Sequence, residues 1–153
     1  MTTEEFATHL QNEVLEDGLE NVIAKPLSDT EFQQWSRAHP DFVLPNEYVA
    51  MLRMANGMKL HSSDDSPKGL LHILPLKQVK PLSEQLMKVT GLEEEDLTDP
   101  PTCLMVGEDQ DSAWCLGLDT ATGHFLEVDY AGDSVDVGSI SEMLDWLVEK
   151  LQQ

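Results

Sequence analysis

Apolar positions follow two rhythms along the chain. Through Asp99-Pro100-Pro101 they recur mostly every three or four residues, the helical period. From Thr102 to Tyr130 they alternate, the strand period. Phe6, Leu10 and Val14 form a four-residue stripe behind a Thr2-Thr3-Glu4-Glu5 capping box, with Gly18 as a stop, which predicts a helix over 2–17. Residues 21–27 are apolar in part and interrupted by Pro26, consistent with an edge strand or a loop. Ser28-Asp29-Thr30-Glu31 is a second capping box; Phe32 and Trp35 share the inner face of its helix, and Pro40 ends it.

The next helix starts at Pro45, whose fixed φ suits a first helical position. Tyr48, Met51, Leu52 and Ala55 fall on one face, and Asn56-Gly57 supplies a stop. A polar loop is predicted over 61–69, a strand over 70–74, and a turn or short helix over 75–80. A helix over 81–89 points Leu82, Leu86 and Val89 inward, with Gly91 after it, and Glu93-Glu94-Glu95-Asp96 reads as an acidic turn or short helix. Strands over 102–106, 112–118 and 124–130, with turns at 107–111 and 119–123, make an antiparallel meander with one face on the core and one in water. Trp114, Leu116 and Leu118 share one face; Leu126, Val128 and Tyr130 oppose Glu127 and Asp129 on the next strand. Residues 131–138 add a short edge strand. Ser139-Ile140-Ser141-Glu142 then caps a helix striped by Ile140, Met143, Leu144, Leu147 and Leu151. The pattern predicts an α+β fold: a single domain over 1–153, mainly antiparallel sheet with helices packed against it.

Length and composition narrow this. The chain has 153 residues, 41% of them hydrophobic, enough for one packed core. The start, Met1-Thr2-Thr3-Glu4-Glu5, is acidic with no apolar run behind it, unlike a signal peptide. No apolar run approaches the roughly 18 residues of a membrane helix. These features predict a soluble cytoplasmic protein. The formal charge is −20, unevenly spread. Residues 1–40 carry eight acids against two bases, 41–90 five against six, and 91–153 sixteen against one. Such a field repels nucleic acid and anionic membranes, and attracts a basic protein partner. Solubility alone is the simpler explanation of the same charge.

Leu44-Pro45-x-x-Tyr48, Asn56-Gly57, Ile73-Leu74-Pro75-Leu76, Gly107, Leu116-x-Leu118-Asp119, Gly123 and a C-terminal amphipathic helix occur in this order. In order and spacing, over about residues 28–150, the chain resembles the SUKH superfamily, which includes a fungal cell-wall-synthesis regulator and many bacterial immunity proteins. The resemblance implies a non-enzymatic protein that binds and neutralises the toxin of a polymorphic toxin system, often a nuclease. It gives Leu44, Pro45, Tyr48, Asn56, Gly57, Leu74, Pro75, Gly107, Asp119 and Gly123 structural roles and supplies no catalytic residue. A housekeeping interaction module, like the fungal regulator, is the alternative it leaves open.

Little else in the sequence carries chemistry. The five histidines stand in no metal-ligand spacing, and no phosphate loop is present. A small enzyme would need converging titratable groups that nothing in the chain requires; no cofactor and no metal is expected. His72 alternates with apolar neighbours and reads as a strand histidine. Cys103 and Cys115 read as small buried hydrophobes, although a turn centred on Asp109 would set them opposite each other. Trp35, Trp114 and Trp146 lie on apolar faces and read as core. Glu108, Asp109 and Asp111 read as a solvated hairpin turn rather than a cation site. The candidate partner-binding residues are Asp64 and Asp65 in the long loop, Glu108, Asp109 and Asp111 in that turn, and Asp129 and Asp133 near the next strand end, since loops at one end of a sheet converge.

Overall fold

Three Ser or Thr caps start helices where the pattern puts them. The side chains of Thr2, Ser28 and Ser139 accept the N–H of Glu5, Glu31 and Glu142, and each glutamate reaches back to its cap residue. In the computed structural model, which describes residues 1–111, 113–131 and 133–153, the helices are α1 (Thr3–Asn12), α2 (Asp29–Ala38), α3 (Asn46–Met54), α4 (Leu82–Thr90) and α5 (Ile140–Leu151). The strands are β1 (Glu20–Ile23), β2 (Met58–Ser62), β3 (Leu71–Ile73), β4 (Lys80–Pro81), β5 (Cys103–Asp109), β6 (Trp114–Asp119), β7 (Phe125–Asp129) and β8 (Ser134–Gly138). They form one antiparallel sheet in the order β1-β2-β3-β5-β6-β7-β8, with β4 paired to β5 beyond the end of β3. The fold is a single α+β domain.

Both faces of the sheet's centre are covered, so the expectation of one wet face is wrong. Along β6, Cys115, Leu116, Gly117 and Leu118 are all buried. On the first face Tyr48 of α3 meets Phe125 edge-on, and Trp146 of α5 meets Trp114. On the second face a Cβ at Gly117 would touch Leu82 of α4 and Leu126. Glu127, expected in water, pairs with Lys150 of α5 at 3.4 Å. A run buried on both faces loses the alternation that marks a half-wet strand.

Other elements differ locally. The first helix stops at Asn12, not residue 17, and Val14 is 96% exposed. The cause is Glu13: its carboxylate takes hydrogen bonds from Asn21 and His61, both at 2.9 Å, and turns the chain toward β1. Of the stretch 21–27, Asn21 to Ile23 belong to the edge strand β1 and the rest is irregular; Ala24 N–H bonds Gly57 O, and Leu27 N–H bonds Leu52 O in α3. Pro45 sits one residue before the helix it opens, and Ala55 ends that helix in extended backbone. Gly57 is not the stop. It has φ +104° because the chain passes the backbone of Pro75, whose nitrogen would lie 2.9 Å from an added Cβ. β2 begins at once and takes in His61 and Ser62 from the expected loop. Val89 faces outward at 49% exposure, while Gly91 closes α4 in the left-handed conformation. Of the expected strands over 112–118 and 131–138, Ser112 and Gly132 lie outside the described residues.

β5 runs on to Asp109, so Gly107 and Glu108 belong to a strand rather than a turn. That register puts Cys103 opposite Asp119 and Cys115 opposite Glu108, and the two thiols do not face each other. Both are buried and free.

Candidate functional site

Strand pairing gathers the acidic loops at one end of the sheet. Leu71 pairs with Asp109, which sets the β2–β3 loop beside the β5–β6 turn. Trp114 pairs with Asp129, which adds the β7–β8 turn. The first two are joined by a hydrogen bond from Ser66 Oγ to Gln110 Oε1 at 3.0 Å. Asp64, Asp65, Asp109, Asp111, Asp129 and Asp133 therefore share one end of the molecule.

Their roles divide. Asp109 Oδ1 accepts the Ala113 N–H at 2.8 Å, and Asp129 Oδ1 accepts those of Ala131 and Asp133 at 2.9 and 3.0 Å. Both are turn caps, which corrects the reading of Asp109 as merely solvated. Asp64, Asp65, Asp111 and Asp133 are exposed. Their carboxylates make no hydrogen bond among the described residues.

Glu108 does not belong to this group. It lies inside the sheet on the second face, 15% exposed, with Oε1 3.2 Å from Lys68 Nζ and 3.5 Å from His72 Nδ1. His72 and Lys68 hold its carboxyl below the usual carboxylate range against the opposing effect of burial. An alternating strand keeps neighbours on opposite faces, so Glu108 cannot share the surface of Asp109.

Between the loops lies a shallow hollow of about 210 Å³ lined by Leu70, Leu71, Asp109, Asp111, Trp114 and Lys150 among others. Trp114 is only half-buried and meets Trp146 edge to face with centroids 5.4 Å apart. Lys150 Nζ stands 5.9 and 5.5 Å from the two ring centroids. An aromatic floor under an acidic rim was missed in the sequence, where both tryptophans read as core. The available signal was the position of Trp114 at a strand end, directly after the turn.

The motif residues shape the backbone elsewhere. Asn56 Oδ1 accepts the Leu76 N–H, and Pro75 precedes the 3₁₀ turn Leu76–Gln78. Asp119 Oδ1 accepts the Thr102 hydroxyl and the Ala121 N–H, holding the turn that Gly123 closes at φ +77°. Leu44, Tyr48 and Leu74 are buried, and a Cβ on Gly107 would crowd His72 O at 3.1 Å. Among the described residues no cluster of three His, Cys, Asp or Glu side chains could hold a metal, and no helix is long and apolar enough to cross a membrane. No protein-family model matches the chain, and no curated protein matches it.

Proposed function

We propose that the chain is a protein-binding domain of the SUKH type that neutralises a basic toxin through the acidic end of its sheet. The observation that carries this reading is the gathering of the exposed Asp64, Asp65, Asp111 and Asp133 at one end of the sheet, where Asp111 and the half-buried Trp114 line a hollow. Four exposed carboxylates steer a cationic surface during encounter. A half-buried tryptophan beside a hollow is the kind of anchor that sets the dissociation rate. The resemblance through Leu44-Pro45, Asn56-Gly57 and Ile73-Leu74-Pro75-Leu76 supports the same reading. Binding at a nuclease's cationic cleft would block substrate access without any chemistry by this chain.

Co-expression with the product of the neighbouring open reading frame tests the proposal. Restored growth, abolished by reversing Asp111 and Asp133 to lysine, is the expected result. A neighbour that is not toxic, or growth that is never restored, removes the toxin assignment. Capture of an endogenous complex in its place would favour the housekeeping module.

A further inference from the structure

A row of paired residues crosses the second face of the sheet: Val22, Lys59, His72, Glu108, Cys115 and Val128. At β6 and β7 this row lies under α4. Toward β1 the row opens into a cleft of about 560 Å³, bordered by Glu31 of α2. Its walls are the 3₁₀ turn after Pro75, the β2–β3 loop at Pro67, and the segment 24–26.

Four of the protein's nine cationic side chains line this cleft: Lys25, Lys59, Lys68 and Lys77. They come from four separate segments of the chain. Lys25, Lys59 and Lys77 are exposed and form no ion pair among the described residues. Glu31 is the one carboxylate in the lining, and both its oxygens are engaged, by Ser28 and by Asn56. His72 also lines the cleft at 7% exposure, its Nδ1 turned to Glu108 Oε1 at 3.5 Å.

We propose that this cleft binds a short, extended, acidic peptide segment of a partner protein. The proposal stands apart from the acidic end of the sheet and from the toxin assignment. Lys59 stands on β2, while Lys25, Lys68 and Lys77 come from the segments that wall the cleft, so the site offers several separate positive charges rather than one focus. Lysines are separate point charges on flexible stems and suit separate carboxylates. The forked side chains that grip one phosphate, Arg37 and Arg53, stand outside the lining. Val22, Pro26, Pro67 and Pro75 provide apolar contact between the charges. The net −20 of the whole chain disfavours a long polyanion such as nucleic acid, which would extend beyond the cleft.

Fluorescence anisotropy with a labelled peptide of about eight alternating glutamates and leucines tests the idea. Saturable binding is expected, weakened about tenfold or more by Lys59→Glu with Lys77→Glu. The milder pair Lys59→Gln and Lys77→Gln should weaken it less, and Lys88→Glu, on α4, should leave it unchanged. Circular dichroism on each variant reports folding. No binding to the native chain, equal affinity in the folded double variants, or equal loss in Lys88→Glu overturns the proposal. Displacement by inorganic phosphate at matched charge, or tighter binding of a single-stranded oligonucleotide, overturns it in favour of those anions.

Discussion

Asn56 Oδ1 accepts the backbone N–H of Leu76 at 2.9 Å, so the residue that follows α3 holds the turn that follows β3. Gly57 lies against Pro75 beside it. Two motifs twenty residues apart in the chain are thus one joint in the fold. Asn56→Ala leaves a buried N–H unpaired, a loss of roughly 1–3 kcal/mol. Gly57→Ala adds a Cβ against backbone at a positive φ and costs roughly the same. Urea melts of both variants measure this, and a native-like midpoint in either would disprove the joint.

The acidic end separates into caps and free charges. Asp111→Lys with Asp133→Lys should change stability by no more than about 0.5 kcal/mol and slow association with a basic partner. Raising ionic strength through about 0.1 M, where the Debye length falls to about 10 Å, should slow it likewise. Asp109→Ala should instead destabilise the β5–β6 turn by roughly 1 kcal/mol. Thermal melts and stopped-flow mixing at two salt concentrations distinguish these outcomes.

Acid should weaken the fold through two partly buried carboxylates. Burial acts to raise Glu13, but the bonds from Asn21 and His61 and the charges of His61 and His9 outweigh it. At Glu108, His72 and Lys68 outweigh burial. Both end below their ordinary 4.5. A depressed carboxyl stabilises the fold above its unfolded pKa, and that contribution is lost as pH falls through the folded value. Glu108→Gln and Glu13→Gln should therefore lower stability at neutral pH and flatten its decline below about pH 4.5. Melts across that range, compared with the native chain, provide the check; parallel curves would remove these groups from the acid limb.

The thiols should be inert in the folded chain. Burial, reinforced by Asp119 and Asp99, pushes Cys103 up to about 12. Burial also pushes Cys115 up to about 12, against a hydrogen bond with Tyr130. A thiol reagent at about pH 8 should react only after denaturant is added. Rapid labelling of the native protein would contradict this.

Truncating Leu116, fully buried against the first-face helices, should cost about 2–5 kcal/mol. A calorimetric melt of Leu116→Ala reads this directly.

Local signals were the legible part of the fold. Capping boxes and apolar stripes located all five helices, because their causes lie within a few residues of each other. The strands at the meander's centre were visible as apolar runs, but not their double-sided burial, which depends on where α4 and α5 return. β2 was overlooked because its alternation of Met58, Leu60 and Ser62 is short and begins directly after Gly57. Glu108 and Asp109, adjacent in sequence, look alike until pairing assigns them to opposite faces. The gathering of the acidic loops was anticipated from topology; the aromatic floor and the lysine cleft depend on pairings between residues far apart in the chain.

The sheet has two open sides, β1 and β8, and neither offers a straight template. β1 has four residues and loses register between Glu20 and Val22; β8 is paired irregularly near Phe125, and Asp136 on it is bound to His124 and Gly138. Broken register and charge along a strand impede growth of one sheet onto another molecule's. An apolar residue such as Val135, 61% exposed on β8, therefore sits where it cannot readily seed fibrils.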